Sequence, residues 1–230
     1  MHIGILLTGH APDGLVGDHG DYDTMFPQLL AGHGFSFSAY PVVDMEFPEN
    51  VQAADGWLIT GSRYGAYEDH PWIAPLETLI RDAYAAHIPM VGICFGHQII
   101  AQALGGTVEK FAGGWAVGRQ VYDFKDLGEV PVNAWHQDQV TKRPEGAKVI
   151  ASNGFCENAA LVYDDRALTL QPHPEFRRGY LEGLIHTRGR GVVPDEQLDT
   201  ALDQIDQPVA TQTMANQIAA FFKQPRGSYV

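Results

Sequence analysis

Cys94 lies in the segment Gly92-Ile93-Cys94-Phe95-Gly96-His97-Gln98, with a glycine two residues before it and another two residues after it. An apolar, strand-like run from Ile88 to Ile93 precedes the cysteine, and a helix-like run from Gln98 to Leu104 follows it. A strand, a tight turn and a helix with a thiol at the tip form the sulfur counterpart of the G-x-S-x-G nucleophile elbow. Such a turn is expected to leave the cysteine exposed at the carboxyl end of a strand. It also puts the sulfur at the positive end of a helix dipole, which favours thiolate over thiol. The glycines are expected to let the backbone turn sharply and to keep side chains away from the sulfur. A lone cysteine beside a strand packs like a small hydrophobe. Here the paired glycines and the strand–helix context point to nucleophilic chemistry instead.

A cysteine nucleophile needs a base to take its proton and a third group to orient that base. Of the ten histidines, the one in Gln171-Pro172-His173-Pro174-Glu175 stands out. Each proline disfavours helix in the residue before it, so Gln171 and His173 are expected to be extended. In an extended segment alternate residues share a face, which sets the Glu175 carboxylate beside the His173 ring. The pentapeptide ends an apolar run, Ala167 to Leu170, and so can reach the elbow from a neighbouring strand. His2, His33, His87 and His186 read as strand or helix-end positions. His10 and His19 stand among Asp13, Asp18, Asp21 and Asp23, but their spacing matches no metal-ligand pattern. A solvated acidic loop is the reading there, and no metal is expected.

The positioning elements follow from hydrophobic periodicity. Strand-like runs occupy Ile3–Leu7, Phe35–Val43, Gly56–Thr60 and Pro89–Ile93. Helix-like stretches occupy 22–33 and 71–87, the second with Ile73, Leu76, Leu79, Ile80, Ala83 and Tyr84 at helical spacing. Alternating β and α elements predict an α/β fold with a parallel sheet covered by helices. Active sites in such sheets lie at the carboxyl ends of the strands, where the elbow and the loop Gly61-Ser62-Arg63-Tyr64-Gly65 both fall. From Thr107 to Gln171 the texture becomes β-rich and broken, which predicts extra antiparallel strands in the second half, with a hairpin turn at Asp164-Asp165. After Pro174, helix is expected from Arg177 to His186, then a polar stretch from Gly189 to Asp199. A last helix near 209–223 carries Met214, Ile218, Phe221 and Phe222 on one face, read as core packing.

Composition narrows the function classes. The chain has 230 residues, 45% hydrophobic and 19% charged, which argues for a folded domain rather than disorder. A formal charge of −13 without a run of Lys or Arg argues against nucleic acid or an anionic membrane as partner. Two cysteines are too few for a disulfide framework, and the elbow needs a reduced thiol, so a reducing, cytoplasmic setting is expected. The first residues have no basic segment or long apolar core of a signal peptide, and no apolar run approaches a membrane span. The loop Thr8 to Gly14 lacks a phosphate-cradling pattern, so a flavin or nucleotide binder is disfavoured.

Taken together, Gly92 to Gln98 and Gln171 to Glu175 resemble the class I (triad) glutamine amidotransferases, nearest to stand-alone members and γ-glutamyl peptidases. The resemblance extends over about 56–176 and includes Leu58-Ile59-Thr60-Gly61-Ser62, Trp72, Gly105-Gly106 and His136-Gln137-Asp138-Gln139-Val140. It implies a flavodoxin-like α/β fold, with a catalytic domain over 1–187 and a helical extension over 188–230 packed on it. It implies Cys94 as nucleophile, His173 as general acid/base and Glu175 as orienter. It implies an oxyanion hole from backbone N–H groups at Phe95 and the Gly61–Ser62 turn. Gln98, His136, Gln137 and Asp138 match positions that line a glutamine pocket, and for His136 a local structural role is an equal alternative. No metal or organic cofactor is implied. Members linked to synthetases often show Gly-Gly-Pro after the third strand. This chain has Thr60-Gly61-Ser62-Arg63, which puts Arg63 and Tyr64 at the pocket mouth.

Three functions are compatible with that reading. One is a glutaminase that passes ammonia to a separate synthetase in trans. Another is a self-contained hydrolase of γ-glutamyl peptides or amides, which the Arg63-Tyr64 loop favours. The third, a catalytically silent binding module, is opposed by the intact set of Cys94, His173 and Glu175.

Overall fold

The structure is a computed structural model that describes residues 1–226. The last four residues of the expected extension, 227–230, lie outside the described residues. The chain runs β1 (His2–Leu6), α1 (Asp13–His19), α2 (Tyr22–Leu29), β2 (Ser36–Tyr40), β3 (Gly56–Ile59), α3 (Ile73–Ala85), β4 (Met90–Ile93) and α4 (Phe95–Ala103). It continues through β5 (Thr107–Lys110), β6 (Ala116–Phe124), β7 (Gly128–His136), β8 (Asp138–Lys142), β9 (Lys148–Ser152), β10 (Ala160–Tyr163) and β11 (Ala167–Leu170). Three helices follow: α5 (Arg178–Leu184), α6 (Asp195–Asp203) and α7 (Thr211–Lys223).

Nine strands form one sheet in the order β2-β1-β3-β4-β11-β10-β9-β6-β7. The first five run parallel, and the remaining four extend the sheet antiparallel. Strands β5 and β8 pair separately. This is a mixed α/β fold with a large, mostly parallel centre, as the alternating pattern predicts. The physical reason is visible in β3, β4 and β11, whose residues are all buried. Strands covered by helices on both faces read as continuous apolar runs. Helix α3 buries Ile73, Leu76, Leu79, Ile80 and Ala83 along one stripe. Helix α4 is buried nearly all round, which explains the near absence of charge in its sequence. Among the described residues no helix is long and apolar enough to cross a membrane.

Several expected features need correction. The polar stretch expected over 189–199 is partly helical: α6 starts at Asp195, after Pro194, with Asp195 and Glu196 in its first turn. It has few apolar residues because only Leu198 and Ala201 are buried, Ala201 seated opposite Gly118 of β6. The expected acidic loop around Asp13 and Asp18 is helix α1, anchored by a single buried residue, Leu15. The expected strand over 35–43 is shorter, since Val42–Asp44 turns into a 3₁₀ segment. The C-terminal helix fits its reading: Met214, Ile218, Phe221 and Phe222 are buried in the same core cluster as Phe26 and Leu168.

Candidate active site

Sheet register places the elbow and the His-Pro-Glu segment side by side. In the parallel pair β4/β11, Ile93 is opposite Leu170, and the Cys94 N–H donates to the Leu170 carbonyl at 2.8 Å. The chains leave the sheet together, one into α4 and the other into the turn bearing His173. Cys94 itself has φ 53° and ψ −102°. A positive φ in a residue with a Cβ is strained and persists only where the surroundings fix it. The nucleophile-elbow strain therefore sits on the cysteine and not on its flanking glycines. Those glycines serve close packing. A Cβ on Gly92 would lie 2.4 Å from the Gly96 carbonyl oxygen, and one on Gly96 would lie 2.2 Å from the Ile59 carbonyl oxygen. The expectation of an exposed sulfur also changes, since Cys94 is only 5% exposed. Its Sγ faces the Trp135 carbonyl at 4.0 Å.

His173 Nδ1 and Glu175 Oε1 are 2.7 Å apart in a buried contact. The pair meets across a turn, in which the Phe176 N–H donates to the His173 carbonyl at 3.4 Å, and not along an extended strand. Strand β7 clamps both ends of this turn. The His173 N–H donates to the Asn133 carbonyl at 2.7 Å, and Asn133 Nδ2 donates to the Phe176 carbonyl at 2.9 Å. The Phe176 ring stacks on the imidazole at 3.9 Å between centroids, the two planes nearly parallel. The imidazole also lies against the Gly61 turn. A Cβ on Gly61 would be 2.9 Å from His173 Cε1 and 3.7 Å from Cys94 Cβ, so a glycine is required there for the three segments to converge.

Burial disfavours a charged His173, but the adjacent Glu175 carboxylate and Cys94 sulfur outweigh it and push its pKa up to about 10. His97 and His136 move the other way. Burial, and for each a neighbouring histidine, pushes both down to about 3. These opposite shifts set a stability profile. Below about pH 6.5 the unfolded chain protonates His97 and His136 while the folded chain does not, so stability falls as pH drops toward 3. The stabilising contribution of His173 is complete below 6.5 and is lost as pH rises through about 10. The midpoint of thermal unfolding is expected to be highest near pH 6.5 and to fall on the acid side. A flat midpoint down to about pH 4 would contradict the neutral burial of His97 and His136.

The remaining site residues separate into two groups. The Gly61 carbonyl accepts from the Thr8 hydroxyl at 3.1 Å, which turns the Ser62 N–H of the same planar peptide to the opposite side. Phe95 is the first residue of α4, where N–H groups have no partner within the helix. Gln98 is buried, and its Nε2 donates to the Asp138 carbonyl at 2.9 Å and Gln171 Oε1 at 3.2 Å, so it ties α4 to β8 and β11. His136 is buried, with Nδ1 and the Asp138 carbonyl at 3.2 Å. Gln137 Nε2 donates to the Phe111 carbonyl at 3.4 Å. Burial raises the Asp138 carboxyl pKa, opposed by its hydrogen bond with Tyr67.

The cleft against His173 is small, about 60 Å³, and its wall includes Tyr22, Ser62, Arg63, Trp135, Phe176 and Arg188. Gln98, His136, Gln137 and Asp138 are absent from that wall. Sequence reasoning missed Trp135, Phe176 and Asn133. Phe176 directly follows the His-Pro-Glu segment, a signal that was available. Asn133 and Trp135 reach the site only through β7 and carried none.

The chain thus combines a parallel-centred α/β sheet with a cysteine at a strand–helix turn and an adjoining, buried His–Glu pair. The sequence profile described as "Glutamine amidotransferase class-I" matches residues 27–184, and the chain belongs to that family. It is 30% identical to a glutamine amidotransferase-like protein of Schizosaccharomyces pombe, over 96% of this chain and 98% of that one. It is 35% identical to gamma-glutamyl peptidase 4 of Arabidopsis thaliana, over 73% of this chain and 72% of that one. A glutamine amidotransferase structure from Methylobacillus flagellatus superposes with a TM-score of 0.77 at 22% identity, over 100% of this chain and 97% of that one. That likeness establishes the fold.

Proposed function

We propose that this protein hydrolyses γ-glutamyl amide bonds through a Cys94–His173–Glu175 triad, with 1–187 as the catalytic domain and the rest a packed extension. The Cys94 sulfur attacks the γ-carbonyl carbon. Backbone N–H groups of Phe95 and the Gly61–Ser62 turn hold the developing oxyanion, an interaction in which loss of one donor typically costs about 3–4 kcal/mol of barrier. The C–N bond breaks as His173 gives its proton to the leaving nitrogen. Water, deprotonated by His173, then opens the γ-glutamyl thioester, releasing glutamate and restoring the thiol. Glu175 keeps the imidazole oriented and stabilises its charge. Gln98, His136, Gln137 and Asp138 act on substrate by shaping the wall behind the elbow, through contacts that are mostly backbone-directed.

The observation that carries this reading is the buried 2.7 Å contact of His173 with Glu175, on a turn registered to the strained Cys94 elbow. A self-contained hydrolase is favoured over a glutaminase that feeds a synthetase in trans. The support is the full-length match to a stand-alone relative and the likeness to γ-glutamyl peptidases. The purified chain is expected to hydrolyse γ-glutamyl dipeptides without any partner, measured as amino acid release. Turnover of glutamine alone, appearing only when a synthetase is added, would reject the hydrolase in favour of the trans glutaminase.

A further inference from the structure

The cleft beside His173 is an exception in an acidic molecule. The chain carries 28 Asp and Glu against 15 Lys and Arg, yet the titratable residues of the cleft wall are Arg63, Arg188, His10, His173 and two tyrosines, with no carboxylate among them. Arg81, Arg178 and Arg190 hold carboxylates in ion pairs; among the described residues Arg63 and Arg188 hold none. The acids that approach the cleft are themselves taken up by histidines: Asp21 and Asp44 sit on His10 at 2.6 and 2.9 Å, and Glu175 sits on His173 at 2.7 Å.

Arg63 is also braced. Its Nη2 donates to the Tyr64 hydroxyl at 2.7 Å, and its guanidinium lies 4.8 Å from the centre of that ring. Tyr64 packs on His70 at 4.4 Å and on Trp72 at 6.0 Å, and Trp72 packs on Phe95 at 5.4 Å. This row of rings connects the guanidinium to the residue after the nucleophile. A guanidinium fixed in this way loses little side-chain freedom when it meets a planar anion.

The position of the cleft tells which half of the substrate it meets. Its wall includes His173 and not Cys94. The acyl half is held at the sulfur, and the leaving nitrogen lies on the side of the imidazole that protonates it. Resting on the proposed hydrolysis, we infer that Arg63 is a specificity-determining residue that binds a carboxylate on the leaving amine. The substrate class is then γ-glutamyl amino acids and short peptides with a free carboxylate close to the scissile bond. Ammonia as leaving group offers Arg63 nothing to bind.

The test compares γ-glutamylglycine with its C-terminal amide, which differ in that one charge, for the wild type, Arg63→Gln and Arg63→Lys. The wild type is expected to favour the acid by about tenfold in kcat/KM, the order of one charge-assisted contact. In Arg63→Gln the ratio falls to near one, mainly through KM for the acid, and Arg63→Lys restores part of it. Added salt lowers the wild-type preference. Equal rates on acid and amide in the wild type, or an unchanged ratio in Arg63→Gln, overturn the role of Arg63 and leave the hydrolase reading intact. An equal loss on both substrates in Arg63→Gln overturns it as well. A wild type that cleaves neither removes both.

Discussion

Cys94→Ala is expected to lower kcat/KM for γ-glutamyl substrates by about 10⁴-fold or more, because the covalent route vanishes with the sulfur. The fold should survive. Alanine accepts the same backbone as cysteine, and the N–H to the Leu170 carbonyl, at 2.8 Å, does not involve the side chain. The lost sulfur contact is weak, 4.0 Å to the Trp135 carbonyl. A thermal midpoint within a few degrees of wild type, with no measurable turnover, is the expected pair of results. Substantial hydrolysis by clean Cys94→Ala protein would assign the chemistry elsewhere.

Glu175→Gln carries the second large effect. The carboxylate is the first of the groups that raise His173 against the opposing effect of burial. Without it the His173 titration moves to lower pH, which ring-proton resonances can follow. The amide also loses the single-acceptor preference that fixes the imidazole tautomer through the 2.7 Å contact at Nδ1. A fall in kcat of up to about 10⁴-fold is expected, the scale on which neutralising the orienting carboxylate acts in a Ser-His-Asp triad. Such a fall, accompanied by a displaced pH profile, separates an electrostatic role from a packing role. A loss of kcat with an unmoved profile would indicate packing.

The α/β class and the place of the elbow were legible because short-range signals carry them. The Gly92-to-Gln98 turn lies between an apolar run and a helical one, and the prolines around His173 mark a rigid segment. The hairpin at Asp164 was likewise local, and Asp164 takes the positive φ, 50°, that such a turn uses. Other features depend on chain far away in sequence. The elbow glycines could be read as turn residues, but Gly96 is constrained by the Ile59 carbonyl, a contact set by the packing of α4 on β3. Helix α6 escaped notice because a helix that packs on β6 with only two buried side chains has little apolar periodicity. Gln98 and His136 sit where a pocket was expected, yet both are buried. Their partners, Gln171 and the Asp138 carbonyl, meet them only after β8 and β11 are in place.

The most direct test is to mix the purified protein with a γ-glutamyl substrate, quench in acid during turnover and weigh the peptide that contains residue 94. A peptide heavier by one γ-glutamyl group, absent in Cys94→Ala and accumulating when the general-base hydrolysis of the thioester is slowed at low pH, is the predicted result. Steady product release with that peptide always unmodified, or with the added mass on Cys156, would contradict it.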